Sequence, residues 1–122
     1  PASEFVAGFM GEAMLFDAES LADGRVRLGP LTVQPRKPAP AGRVKLAVRP
    51  EAWALGDAAG GLAGTVSKSA YLGSFLEVTL DTELGSIFVV VPDVQRAWTP
   101  GDRAALTLGA RGVSVVNAQP AR

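Results

Sequence analysis

Arg43-Val44-Lys45-Leu46-Ala47-Val48-Arg49-Pro50-Glu51 sets apolar Val44, Leu46 and Val48 at every second position, the two-residue period of a strand with one buried face. Pro50 has no N–H to give a ladder, so the strand ends there in a turn. The same signals recur toward the C-terminus. Residues 62–68 and 75–80 read as strands on either side of Ser69-Ala70-Tyr71-Leu72-Gly73-Ser74, where Gly73 is expected to permit a bend or bulge at a barrel corner. Glu83-Leu84-Gly85 reads as a turn into residues 86–91, whose unbroken apolar character predicts a strand buried on both faces and stopped by Pro92. After Pro100-Gly101-Asp102, residues 104–108 and 112–116 read as a final pair of strands, joined as a hairpin by Gly109-Ala110-Arg111.

Toward the N-terminus the period is also mostly two. Residues 13–16 form a plausible strand, Asp23-Gly24 a turn, residues 25–28 a strand, Gly29-Pro30 a second turn, and Leu31-Thr32-Val33 a further strand. Pro35, Pro38 and Pro40 flank Arg36 and Lys37 in residues 34–42, which predicts an exposed connector and a weak subdomain junction. Ala58-Ala59-Gly60-Gly61 reads as a flexible loop. Residues 3–10 differ: Phe5, Val6, Phe9 and Met10 fall at helical spacing between an N-cap candidate, Ser3, and a stop, Gly11. A helix of about two turns is expected there, too short to be stable unpacked. The fold class is therefore all-β, a small OB-like barrel or paired antiparallel sheets, with one short N-terminal helix.

Composition narrows the function classes. Twelve basic and twelve acidic residues cancel, which removes the electrostatic term behind most nonspecific nucleic-acid affinity. With 48% hydrophobic residues in 122, the chain has the material for one packed core. It has no Cys and no His, so disulfides, thiolate or imidazole metal ligands, and Ser-His-Asp or Cys-His catalysis are excluded. No apolar run reaches the roughly 18 residues of a membrane span, and no basic region with an apolar core marks a secretory signal. A start at Pro1 rather than Met reads as an excised or processed fragment.

The order of Arg49-Pro50-Glu51, Gly64-Thr65-Val66, Tyr71-Leu72-Gly73 and a Val/Leu-rich hairpin resembles the TOBE domain that follows the nucleotide-binding domain in ABC importer ATPases. Phe5-Val6-Ala7-Gly8-Phe9-Met10-Gly11 is similar to the segment linking the two domains in that family. Residues 12–42 carry no motif of it. The resemblance implies a linker helix at 1–11, an OB-like β domain at 12–117 and a tail at 118–122. It implies no catalysis by these residues, and a regulatory or dimerisation role beside an ATPase domain that holds ATP and magnesium. The expected partners are that domain, a second copy and membrane subunits, at the cytoplasmic face of a bacterial membrane, in uptake of polyamines, ferric iron, sulfate or sugars. No cofactor and no nucleic acid are expected for this chain. A free-standing OB-type module for an oxyanion, oligosaccharide or oligonucleotide is the alternative, and an uncharacterised enzyme is a third class.

No Gly-x-x-x-x-Gly-Lys-Ser/Thr occurs, and Gly60-Gly61-Leu62-Ala63-Gly64-Thr65 lacks the lysine. Asp17 with Glu19, and Asp81 with Glu83, read as solvated charges at turns. The candidate interface or ligand contacts are Arg49, Glu51, Trp53, Tyr71 and Trp98. Arg49 and Glu51 flank Pro50 and are read first as structural charges at a strand end. Tyr71 is expected to fill core volume with its hydroxyl tied to backbone. One of the two tryptophans is expected at an interface, where Trp is over-represented. Arg36 and Lys37 read as a solvated basic patch.

Overall fold

The structure is a computed structural model that describes residues 3–9, 11–57, 60–109 and 111–118. The described residues form two antiparallel sheets. The first contains β1 (Ser3–Phe9), β2 (Gly11–Ser20), β3 (Val26–Leu28), β4 (Leu31–Val33), β5 (Gly42–Val48) and β11 (Val113–Ala118). Its order is β11-β5-β2-β3-β4, with β1 also on β2. The second contains β6 (Trp53–Gly56), β7 (Leu62–Tyr71), β8 (Leu76–Thr82), β9 (Gly85–Val91) and β10 (Arg103–Leu108), in the order β6-β10-β7-β8-β9. Its edge strands β6 and β9 approach each other without pairing, so this sheet curls into most of a barrel.

Alternation decides what is inside. Phe16 of β2, Leu46 and Val48 of β5, Leu62 and Val66 of β7, Val78 and Leu80 of β8, and Leu106 of β10 are all buried in one core cluster. That cluster draws on strands on both sides of residues 34–42, so the connector does not divide the core. Ser20 is the polar side chain buried with it, and its hydroxyl donates to the Ala39 carbonyl at 2.9 Å, which fastens the connector to the sheet.

The N-terminal helix is corrected to a strand. Ser3–Phe9 pairs with β2 from Ser3↔Phe16 to Phe9↔Gly11, with a register shift between Val6 and Phe9. Two helical turns supply few internal hydrogen bonds, whereas the edge of β2 offers ladder bonds along most of the segment. Met10 lies outside the described residues, as do Ala58, Ala59 and residues 119–122 of the expected tail. β9 is corrected as well: it is an edge strand with only Ile87 and Val89 buried, while Phe88 and Val90 stand half-buried on the other face. Gly73, with φ +93°, lies in the reversal between β7 and β8 rather than in a bend, and the bulge falls at Ser67, between Val66 and Lys68.

The last two strands are not a hairpin. β10 belongs to the second sheet and β11 to the first, and β5 and β6 cross between the sheets beside them. The ladder runs through this double corner. Val113 pairs with Val48 on one side and Leu108 with Trp53 on the other. Between them the Arg49 N–H donates to the Gly112 carbonyl at 2.9 Å, and the Gly109 N–H to the Ala52 carbonyl at 3.2 Å. Pro50–Ala52 forms a single 3-10 turn at the bend. Gly112 has φ +83°, and a Cβ there would meet the Ala52 Cβ at 3.2 Å.

Gly112→Ala is therefore expected to lower stability by at least about 1 kcal/mol in urea unfolding, from left-handed strain plus crowding. Gly109→Ala, where a Cβ meets nothing within 4 Å, is expected to be neutral or slightly stabilising. Equal losses at the two positions would refute this account of the corner.

Candidate functional site

The five contact candidates fall in three places. Arg49, Glu51 and Trp53 come together at the double corner. Arg49 acts there through its backbone, which donates to Gly112 and accepts from the Ala52 N–H at 2.9 Å. Among the described residues neither Arg49 nor Glu51 takes part in an ion pair. Trp53 is interior, 4% exposed, with its ring edge-on to Phe16 at 6.0 Å. Its Nε1 is buried with no hydrogen-bond partner among the described residues.

Trp98 is equally buried, so neither tryptophan stands at the surface. Arg96 lies over its ring at 3.8 Å and reaches Asp57 with both terminal nitrogens, at 2.7 and 2.6 Å. A planar guanidinium serves both contacts at once, as a lysine would not. This stack ties the segment after β9 to the end of β6. Next along the chain, Thr99-Pro100-Gly101-Asp102 makes a turn with Pro and a φ +94° Gly at its centre, the pattern of a type II turn. The Asp102 carboxylate accepts from the Thr99 N–H at 2.9 Å. The Gly101 N–H and the Asp102 carbonyl bond the two backbone groups of Val66, each at 2.8 Å, beside the β7 bulge.

Tyr71 is not in the core. It is 65% exposed at the end of β7, beyond the stretch, Leu62–Thr65, that pairs with β10. Leu72 beside it is 48% exposed.

A fourth place escaped the sequence. Asp17, Glu19, Arg27, Arg43 and Lys45 line an open cleft of about 700 Å³ on the outward face of the first sheet. Asp17 and Glu19 are strand residues rather than turn charges. Asp17 lies opposite Lys45, and Glu19 lies opposite both Arg43 and Arg27. Lys45 pairs with Asp17, and Arg27 with Glu19. Opposite charges at matching alternate positions of two strands were the available signal. These two pairs satisfy one another in solvent, while Arg43 takes part in no ion pair among the described residues.

Nucleotide chemistry finds no foothold here. Gly61, the glycine nearest to a phosphate loop in sequence, has the Leu106 carbonyl 2.4 Å from where its Cβ would be. It serves close backbone packing at the start of β7, and no lysine follows. Among the described residues no group of three His, Cys, Asp or Glu could hold a metal, and no helix is long and apolar enough to cross a membrane.

The described residues thus form a double-sheet β domain around one core. The chain belongs to the TOBE domain family, whose profile matches residues 46–116. It is 37% identical over 123 residues to the Fe(3+) ions import ATP-binding protein FbpC of Brucella abortus (strain 2308), covering 96% of this chain and 35% of the relative. It is 40% identical over 124 residues to FbpC 1 of Rhizobium meliloti (strain 1021), with the same coverage. The spermidine/putrescine import ATP-binding protein PotA of Ruegeria pomeroyi is 30% identical over 118 residues, covering 88% of this chain and 32% of the relative. These relatives are ABC importer ATP-binding subunits, and the chain spans about a third of their length. Among solved structures, the cytoplasmic molybdate-binding protein ModG with molybdate bound is similar at TM-score 0.53 and 20% identity, over 94% of this chain and 92% of that one. At that identity the likeness is one of fold.

Hydrogen bonding to Arg96 is the largest influence on the Asp57 carboxyl and holds it below the ordinary carboxylate range. A depressed folded-state value stabilises at and above that range and is lost as pH falls through it. Thermal melts of the wild type and Asp57→Asn are therefore expected to differ at neutral pH and to converge on acidification. A gap that persists unchanged in strong acid would exclude the ion pair as its source.

Proposed function

We propose that this chain is the non-catalytic regulatory and dimerisation domain of the ATP-binding subunit of a bacterial ABC importer. The observation that carries the reading is membership of the TOBE family with relatives that are all importer ATP-binding subunits, joined to a chain that has no residues for nucleotide chemistry. In that setting its partners are a nucleotide-binding domain, which holds ATP and magnesium, the second copy of the subunit, and the membrane subunits. Its place is the cytoplasmic face of the membrane. The printed names of the relatives make ferric iron and polyamines the first solutes to test.

The physical route to regulation is a difference in contact. A domain that touches its counterpart in only one arrangement of the two ATP sites shifts the balance toward that arrangement. Of the five contact candidates, Tyr71 and Glu51 are exposed, and Tyr71 is the direct probe of such a surface. Arg49, Glu51 and Trp53 would act through the shape of the corner, and Trp98 through the loop it anchors.

In the longer protein, removal of residues 12–117 is expected to leave ATP binding in place while changing the coupling of hydrolysis to uptake. Unchanged coupling and unchanged dimer formation would overturn the proposal. Thermal shifts of the chain with ferric salts, spermidine, sulfate, sugars and molybdate test the alternative of a free-standing binding module. A ligand at about 100 times its Kd adds about 2.7 kcal/mol, and a molybdate shift without any sign of an ATPase partner would favour that alternative.

A further inference from the structure

We propose that one end of the first sheet, formed by the turn before β3, the 34–41 connector and the start of β5, is a basic docking surface for an acidic segment of another protein. The inference does not depend on the importer reading. Charge is segregated along the chain: all seven charged residues between Asp23 and Glu51 are basic, whereas from Glu51 to Asp93 six carboxylates stand against Lys68 alone. The fold makes this asymmetry spatial. The basic run supplies β3, β4, the connector and β5 of the first sheet, and the acidic run spans β6 to β9 of the second.

Backbone pairing gathers the cations at one end. Ser20 lies opposite both Val26 and Gly42, and its hydroxyl donates to the Ala39 carbonyl at 2.9 Å, so the turn, the connector and β5 converge around it. Pro35 is buried and Pro38 lies against Gly24, which leaves Arg36 and Lys37 exposed on a stiff, anchored segment. The carboxylates of Asp23 and Glu19 at this end are taken by Arg25 and Arg27. Arg43 faces Glu19 from the opposite strand and lines the open cleft with it, but the carboxylate has gone to Arg27. Arg36, Lys37 and Arg43 are exposed, and among the described residues none takes part in an ion pair. Three cations are thus left over where every neighbouring carboxylate is matched.

The interleaved acids identify the occupant. Asp17, Glu19 and Asp23 oppose the dense negative charge of a phosphate backbone or an anionic bilayer, and the one exposed aromatic among the described residues, Tyr71, belongs to the other sheet, so no base can stack here. A polypeptide brings its carboxylates singly and can set cations of its own beside Asp17 and Glu19, whose side chains are 74% and 51% exposed. Such a pairing guides encounter and register more than it adds affinity.

The test is fluorescence anisotropy of a short labelled polyglutamate peptide titrated with the full chain at about 20 mM and about 200 mM salt, a range over which exposed charges become screened. Saturable binding is expected, weakening with salt. Arg36→Gln with Arg43→Gln should raise the Kd about tenfold or more, whereas Lys68→Gln with Arg103→Gln, which removes the same charge from the second sheet, should change it less than about threefold. All four side chains are exposed, so the urea midpoints should stay together and certify that each variant folds. No binding at low salt would overturn the proposal, and equal losses in the two variants would overturn the place. Tighter binding of a single-stranded oligonucleotide of equal charge, or of phosphatidylglycerol vesicles, would overturn the choice of partner.

Discussion

The double corner at residues 48–53 and 108–113 is the constraint on which the rest depends. Two strands of one sheet become two strands of the other without leaving each other, and the bonds from Arg49 to Gly112 and from Gly109 to Ala52 carry the ladder through the bend. A sheet that ended here would leave those backbone groups unpaired beside a core, at a cost of about 1 to 3 kcal/mol for each. Because both chains turn together, the two sheets share one core instead of forming two small ones. The 3-10 turn after Pro50 and the left-handed Gly112 are the local devices that let both backbones bend within so few residues.

From that corner the functional surfaces follow. The inward positions are taken up by the shared core, which leaves the outward faces and the connecting loops to meet anything outside the domain. The two outward faces differ in kind. The first sheet shows a ladder of charges in which Asp17 is matched to Lys45 and Glu19 to Arg27. The second shows Phe88 and Val90 beside Lys68 and Glu77, which take part in no ion pair among the described residues.

Much of the fold was legible because a strand with one buried face writes its period directly into the sequence. Val44, Leu46 and Val48 behave as their spacing says, and the turns at Asp23-Gly24, Gly29-Pro30 and Glu83-Leu84-Gly85 fall between strands as expected. The errors share one cause. Helical spacing in residues 3–10 was outcompeted by the edge of β2, and the apolar run in β9 hid an edge strand with one face turned outward. Gly109-Ala110-Arg111 was read as a hairpin because a short glycine loop says that the chain turns, not which sheet it turns into. Tyr71 read as core because an aromatic beside a glycine corner in a small barrel usually fills core volume, whereas it lies on the part of β7 beyond its pairing with β10.

Alone, then, the sequence determined an all-β domain, the faces of most of its strands, the absence of His and Cys chemistry, and the family order of motifs around Arg49-Pro50-Glu51 and Tyr71-Leu72-Gly73. These are local properties, set by residue type and by spacing within a few positions. Only the tertiary structure decided which strands are neighbours, that β5–β6 and β10–β11 cross between the sheets side by side, that Arg96 bridges Asp57 and Trp98, and that Lys68 and Glu77 share a face with Phe88. Each of those depends on hydrogen bonds and packing between residues distant in the chain. A two-residue period specifies which side of a strand is buried and carries no record of the strand that will lie beside it.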